Sequence, residues 1–230
     1  MTESQASRHP ALLYVIPVAG FVLLTSLEEP VAAGGSAWPA LGYPLAYTAK
    51  VLVVSALAWA CRRSWRDLNP LPSRSVLALA IGLGLLVAIA WVGLDGRYPA
   101  LPGLGKRTGF DPGVLSPPGR WCFLAVRFFG LVILVPLIEE LFWRSFAIRL
   151  IIDADFERIP IGRVTPMAAA VTSTLFGLTH PEWLPALLTG AVWAWLLWRT
   201  RSVAACVVSH AVANLALGVY VIGTGDWKFW

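Results

Sequence analysis

Charge is what this sequence has least of. Asp, Glu, Lys and Arg make up 13% of its 230 residues, against 57% hydrophobic, whereas a soluble domain is about a quarter charged. A chain of this length could not hide so much apolar surface in water, so a soluble fold is excluded. Cysteine is nearly absent too. Cys61, Cys122 and Cys206 are odd in number and show neither CxxC nor metal-knuckle spacing, which excludes a disulfide framework and a cysteine zinc site. They read as small buried hydrophobes. The chain also lacks an internal repeat, an HExxH helix, a nucleic-acid motif, and the basic start and small-residue cleavage site of a signal peptide. The first apolar segment is therefore expected to be retained.

What is present is apolar length. Mean hydropathy is +0.69, with 12 tryptophans, and several windows reach the roughly 20 residues that cross a hydrocarbon core as a helix. Lipid offers no partner to open backbone groups, so the expected fold is all-α, a polytopic transmembrane helical bundle. Spans are expected at 11–27, 40–61, 75–94, 121–152, 165–180, 183–198 and 202–222. That makes about seven, or eight if Pro136, which has no backbone N–H, divides the long one. Residues 1–120 form N-terminal spans and a loop, serving as scaffold or substrate access. Residues 121–222 form the core that carries the chemistry, and 223–230 a short tail.

Orientation follows the arginines. Arg62, Arg63, Arg66 and Arg74 put loop 62–74 in the cytoplasm, and the base-free 28–39 segment, which begins Glu28-Glu29, outside. Against this, loop 95–120 carries Arg97, Lys106, Arg107 and Arg120 on the outer side. The formal charge of +5 resides in these loops and suits anionic lipid head groups rather than nucleic acid.

Charges inside spans are functional candidates, because each costs about 2.5–3.5 kcal/mol near the bilayer centre. Lys50 and Arg127 read as snorkelling side chains. In "VPLIEELFWRSF", Glu140 and Arg144 stand four apart on one helix face, acid first, and are expected to neutralise each other. Glu139 projects about 100° away, with no partner at i+3 or i+4. His9 lies in the polar N-terminal tail, but His180 and His210 fall in predicted spans. At about 1.5 Å per residue, Glu139, His180 and His210 lie roughly 20, 22 and 12 Å from the cytoplasmic ends of their helices, so they can meet inside the membrane. Asn214 shares a helix face with His210, beside Ser209 and Ala213. Phe176 reads as packing, Glu182 as a solvated helix-end acid, and Trp183, Trp193, Trp195, Trp198 and the terminal "DWKFW" as interface anchors.

The three motifs EExxxR (Glu139 to Arg144), FxxxH (Phe176 to His180) and HxxxN (His210 to Asn214), in that order on successive helices, resemble the CAAX-processing and bacteriocin-processing (ABI) family of intramembrane glutamate proteases over roughly residues 121–222. The resemblance implies an endopeptidase with no cofactor and no metal, acting near the C-terminus or the membrane-proximal part of a peptide or protein substrate, lipidated or not. It makes Glu139 the general base and His180 its partner in activating water. His210 and Asn214 would stabilise the oxyanion, with Glu140 and Arg144 organising the site. The expected location is a multi-pass position in the lipid bilayer of a bacterial inner membrane.

Other classes use the same residues. Glu139, His180 and His210 also suit a zinc triad with an open position for water. A non-enzymatic immunity or scaffold protein would keep the constellation for binding. A proton-coupled transporter would use it as a relay, but should show inverted repeats, and none is evident.

Overall fold

The structure is a computed structural model that describes residues 10–32, 39–104 and 109–229. His9, Lys106, Arg107 and Trp230 lie outside the described residues. The described chain is helical, with no strand. Helices α1 (Leu12–Ala32), α2 (Pro39–Ala60) and α3 (Arg74–Leu94) precede the long α4 (Pro117–Ile152), and α5 (Pro166–Leu178), α6 (Trp183–Thr200) and α7 (Val203–Thr224) follow it. α2 (over Leu41–Ala60), α3, α4 and α7 are long and apolar enough to cross a membrane, and α1 and α5 contain shorter apolar helices, Leu12–Leu27 and Pro166–Leu178. The outer faces agree with that reading. Leu23, Leu52 and Ile89 are all more than 60% exposed, an apolar surface suited to lipid rather than water.

Local chemistry sets the boundaries. Ser73, Thr165 and Ser202 cap α3, α5 and α7, each accepting from the backbone N–H three residues on. Pro117 and Pro166 occupy first-turn positions, where a missing N–H costs nothing. α7 ends at Gly225, in the left-handed region with φ 72°. Small residues let helices approach closely: α3 lies along α7, and a Cβ at Gly84 would collide with the carbonyl of Ser209.

Pro136 does not divide the long span. α4 runs through it by widening: π-helical turns at Phe129–Leu134 and Leu141–Ala147 flank the α-helical Val135–Glu140. Such turns are rare and recur at functional sites. Here they bracket the two glutamates.

Two polar clusters hold the ends of the bundle. At one end, Asp67 of the 3₁₀ turn Arg62–Leu68 accepts on one carboxylate oxygen from Tyr14 (2.7 Å), Arg149 (2.8 Å) and Ser145. This fastens α1 and the turn to α4. Arg66 adds an ion pair with Glu157 at 2.5 Å. At the other end, Trp183 donates to the carbonyl of Pro99 (2.8 Å), and Lys228 pairs with Asp95 at 2.6 Å. The tail is part of the fold rather than an interface anchor, because Phe229 is buried in a cluster with Leu124 and Val221.

Candidate active site

One cavity of about 460 Å³ gathers Glu139, His180, His210 and Asn214 from α4, the α5–α6 turn and α7. The size is ordinary for a ligand site. The apolar wall includes Trp91, Trp143, Phe176 and Trp193. Glu140 and Arg144 do not line it. They lie behind, each fully buried, with Arg144 Nε 3.2 Å from Glu140 Oε2. The roughly 100° between successive helical residues thus sorts the two acids, Glu139 toward the cavity and Glu140 into the core.

The expected Glu140–Arg144 pair is present, but Glu140 does more. Its other oxygen, Oε1, accepts from His210 Nδ1 at 3.0 Å. Seventy residues separate the two, so helix spacing could not reveal the contact. The guanidinium of Arg144 also lies 5.4 Å from the Phe176 ring centroid and 5.6 Å from that of Trp193, where aromatic faces favour a cation. Phe176 is buried packing, as expected, and is also the wall against which Arg144 rests.

Trp193 corrects the sequence reading. It is no interface anchor but 2% exposed. Its ring stacks on His210 at 4.2 Å and 27°, and its N–H donates to Ser209 Oγ at 3.1 Å. Trp195 and Trp198, 44% and 56% exposed, do face outward. Helical period explains the difference, since Trp195 stands about 200° around α6 from Trp193. Cys122 is exposed rather than buried, and Glu182 is half-buried rather than solvated.

His180 is not inside a helix. α5 ends at Leu178, and the imidazole sits on the turn that follows. Nδ1 is 2.8 Å from the Phe176 carbonyl and 3.1 Å from Thr179 Oγ1, whose own proton goes to that same carbonyl. Both neighbours therefore accept, so Nδ1 carries the proton in the neutral ring and Nε2 keeps the lone pair.

Asn214 donates from Nδ2 to the carbonyl of Leu131 at 2.8 Å. Each amide N–H pair has two protons, so one remains for a ligand. The need for this bond is local. Val135 N–H bonds Gly130, five residues back; in that register the Leu131 carbonyl falls to residue 136, a proline with no N–H.

Lys50 and Arg127 do not snorkel. Both are buried, at 5% and 6% exposure, and both line the cavity. The sequence reading assigned them no site role, and so missed them. As to zinc, among the described residues no group of three His, Cys, Asp or Glu side chains converges as metal ligands would. Glu139, His180 and His210 share a cavity without forming that triad.

Residues 121–216 match the family described as Rce1-like, type II CAAX prenyl endopeptidase. Neither the curated proteins nor the solved structures yielded a match.

Proposed function

We propose that Glu139 and His180 activate the water that does the cutting in a membrane protease, a hydrolase acting on peptide bonds, a reading supported by the match of residues 121–216 to the Rce1-like type II CAAX prenyl endopeptidase family. The observation that carries this is the cavity in which Glu139, His180, His210 and Asn214 meet within an apolar bundle.

In this reading Glu139 takes a proton from water while His180, whose Nε2 bears the lone pair, holds that water by accepting its other hydrogen. The oxygen attacks the scissile carbonyl carbon and the C=O electron pair moves onto oxygen. The second N–H of Asn214 and the Nε2–H of His210 receive that oxyanion. In this role the His210 ring is doubly protonated, with Nδ1 held by Glu140. Collapse breaks the C–N bond, and Glu139 returns its proton to the leaving amine. A preorganised oxyanion donor contributes about 2.7–4 kcal/mol.

Glu140 and Arg144 act at one remove. Glu140, paired with Arg144, holds the His210 ring, and Trp193, anchored on Ser209, stacks against it, so that the donor needs no reorganisation when charge develops. The substrate is a peptide or protein segment reaching the membrane, lipidated or not. The test is to reconstitute the full chain with a panel of lipidated and unlipidated peptides and map products by mass spectrometry. The reading expects at least one peptide to be cut, and the cut to be lost in His180→Ala. Cleavage undiminished in His180→Ala would remove His180 from the reaction.

A further inference from the structure

The two ends of the bundle differ in charge, and the cavity belongs to only one of them. At the end fastened by Asp67, three connections lie together. Arg66 of the turn after α2 pairs with Glu157 of the α4–α5 connection at 2.5 Å, and a Cβ at Gly162 of that connection would collide with Arg201, between α6 and α7. The first carries Arg62, Arg63 and Arg66 and leads into Arg74, the second carries Arg158 and Arg163, and Arg199 and Arg201 flank the third. All eight are exposed.

The opposite end has fewer bases. By sequence, the α3–α4 connection, the first turn of α4 and the tail supply Arg97, Lys106, Arg107, Arg120 and Lys228. Two of these are bound locally: Arg120 donates to the carbonyls of Pro112 and Gly113 at 3.3 and 3.0 Å, and Lys228 pairs with Asp95 at 2.6 Å and Asp226 at 3.3 Å. An excess of Lys and Arg in short connections keeps the richer end in the cytoplasm. The bases of loop 95–120 are thus outnumbered, because three arginine-bearing connections share one side.

The cavity keeps to the arginine-poor half. Leu104 of the α3–α4 connection, His180 of the α5–α6 turn and Phe229 of the tail line it, and among the described residues nothing from the three arginine-bearing connections does. Glu139 and His180 lie about 20 Å from the arginine-rich ends of α4 and α5, two thirds of the way across a core about 30 Å thick. The remaining depth is filled. Along α4 toward the arginine-rich end, Glu139 lines the cavity, Arg144 is fully buried and Arg149 is bound to Asp67 at 2.8 Å. We propose that the cavity opens away from the cytoplasm, so that the substrate is a peptide segment of an exported chain, presented at the outer face of the membrane. This rests on the protease reading above and adds to it the side from which the substrate comes.

The experiment uses the full chain, with Cys122→Ser to remove the exposed native thiol and one new cysteine at an exposed, uncharged position of either end: Ala100→Cys between α3 and α4, or Ala154→Cys between α4 and α5. A membrane-impermeant maleimide is applied to spheroplasts of a bacterial host expressing each variant. Ala100→Cys is expected to label in intact spheroplasts and Ala154→Cys only after lysis; any other pattern would overturn the proposal. Cleavage reads the same question independently. A peptide that wild type cuts in detergent, made impermeant by a polar tag, is supplied to sealed vesicles of each orientation. Right-side-out vesicles should cut it unaided, whereas inside-out vesicles should spare it until detergent is added. Cutting by sealed inside-out vesicles, with right-side-out vesicles inert, would overturn the proposal and leave the protease reading intact. No peptide cut even in detergent, with the labelling as expected, would sink the protease reading and leave the orientation standing.

Discussion

Asn214 donates its side-chain amide to the carbonyl of Leu131, 2.8 Å away on another helix. That carbonyl is the one Pro136 cannot serve in the π register. Proline, widened turn and asparagine form one device: the helix that carries Glu139 is opened where α7 can grip it, and the gripping side chain is itself at the cavity.

Asn214→Ala should therefore lose stability as well as activity. An unsatisfied buried carbonyl costs about 1–3 kcal/mol, visible as a lower unfolding temperature. Pro136→Ala returns an N–H, and its stabilising effect should be larger in the Asn214→Ala background than in wild type. A double-mutant cycle reads that difference. Equal effects in both backgrounds would show that the two residues are not coupled through Leu131.

The buried ion pair makes a second prediction. Arg144→Ala strands Glu140 against His210, and breaking such a pair costs about 3–5 kcal/mol. Glu140→Gln with Arg144→Gln strands no charge and should recover most of that loss in a thermal melt. Because Glu140 also fixes His210, the double variant should still cleave more slowly, by about 10²-fold if the ring moves by an ångström. A double variant no more stable than Arg144→Ala would mean that the pair carries no stability.

How much of this was legible in the sequence depends on what kind of physics set each feature. Predicted spans such as 75–94 and 202–222 fall within two residues of α3 and α7, because apolar length and capping residues are local. The Glu140–Arg144 pair follows from helix spacing alone. The grip of His210 on Glu140 does not, since it links residues far apart in the chain, and neither do the π turns, which no periodicity announces. Trp193 could have been separated from Trp195 by its place on the stripe with Ala186, Thr189, Gly190 and Leu197, all buried. Lys50 and Arg127 could not, because a long basic side chain in an apolar span suits a snorkelling role and a cavity role equally well.

Asp67 offers a test of the far end of the bundle. Its carboxylate receives Tyr14, Ser145 and Arg149 and is itself nearly buried. Asp67→Asn leaves Arg149 without its counter-charge, and the unfolding free energy should fall by about 3–5 kcal/mol. Turnover per folded molecule should change little, since Asp67 does not line the cavity. A large loss of turnover at full stability would tie this latch to the chemistry instead.

Metal dependence is tested by chelation. Water activated by a carboxylate and an imidazole should be indifferent to a strong chelator, whereas a zinc enzyme loses activity and recovers it on adding Zn²⁺. Inhibition with recovery, alongside near-stoichiometric zinc by elemental analysis, would replace the mechanism proposed here.

The most direct measurement is cleavage of a mapped peptide by Glu139→Gln, run beside wild type at matched amounts of inserted, folded protein. The substitution keeps the side chain's size and removes its ability to take a proton. Loss of a general base costs about 10²–10⁴-fold, and a fall of that size with unchanged unfolding temperature is the result predicted. Turnover near that of wild type would contradict the assignment of Glu139 as the base, and with it the account of the site.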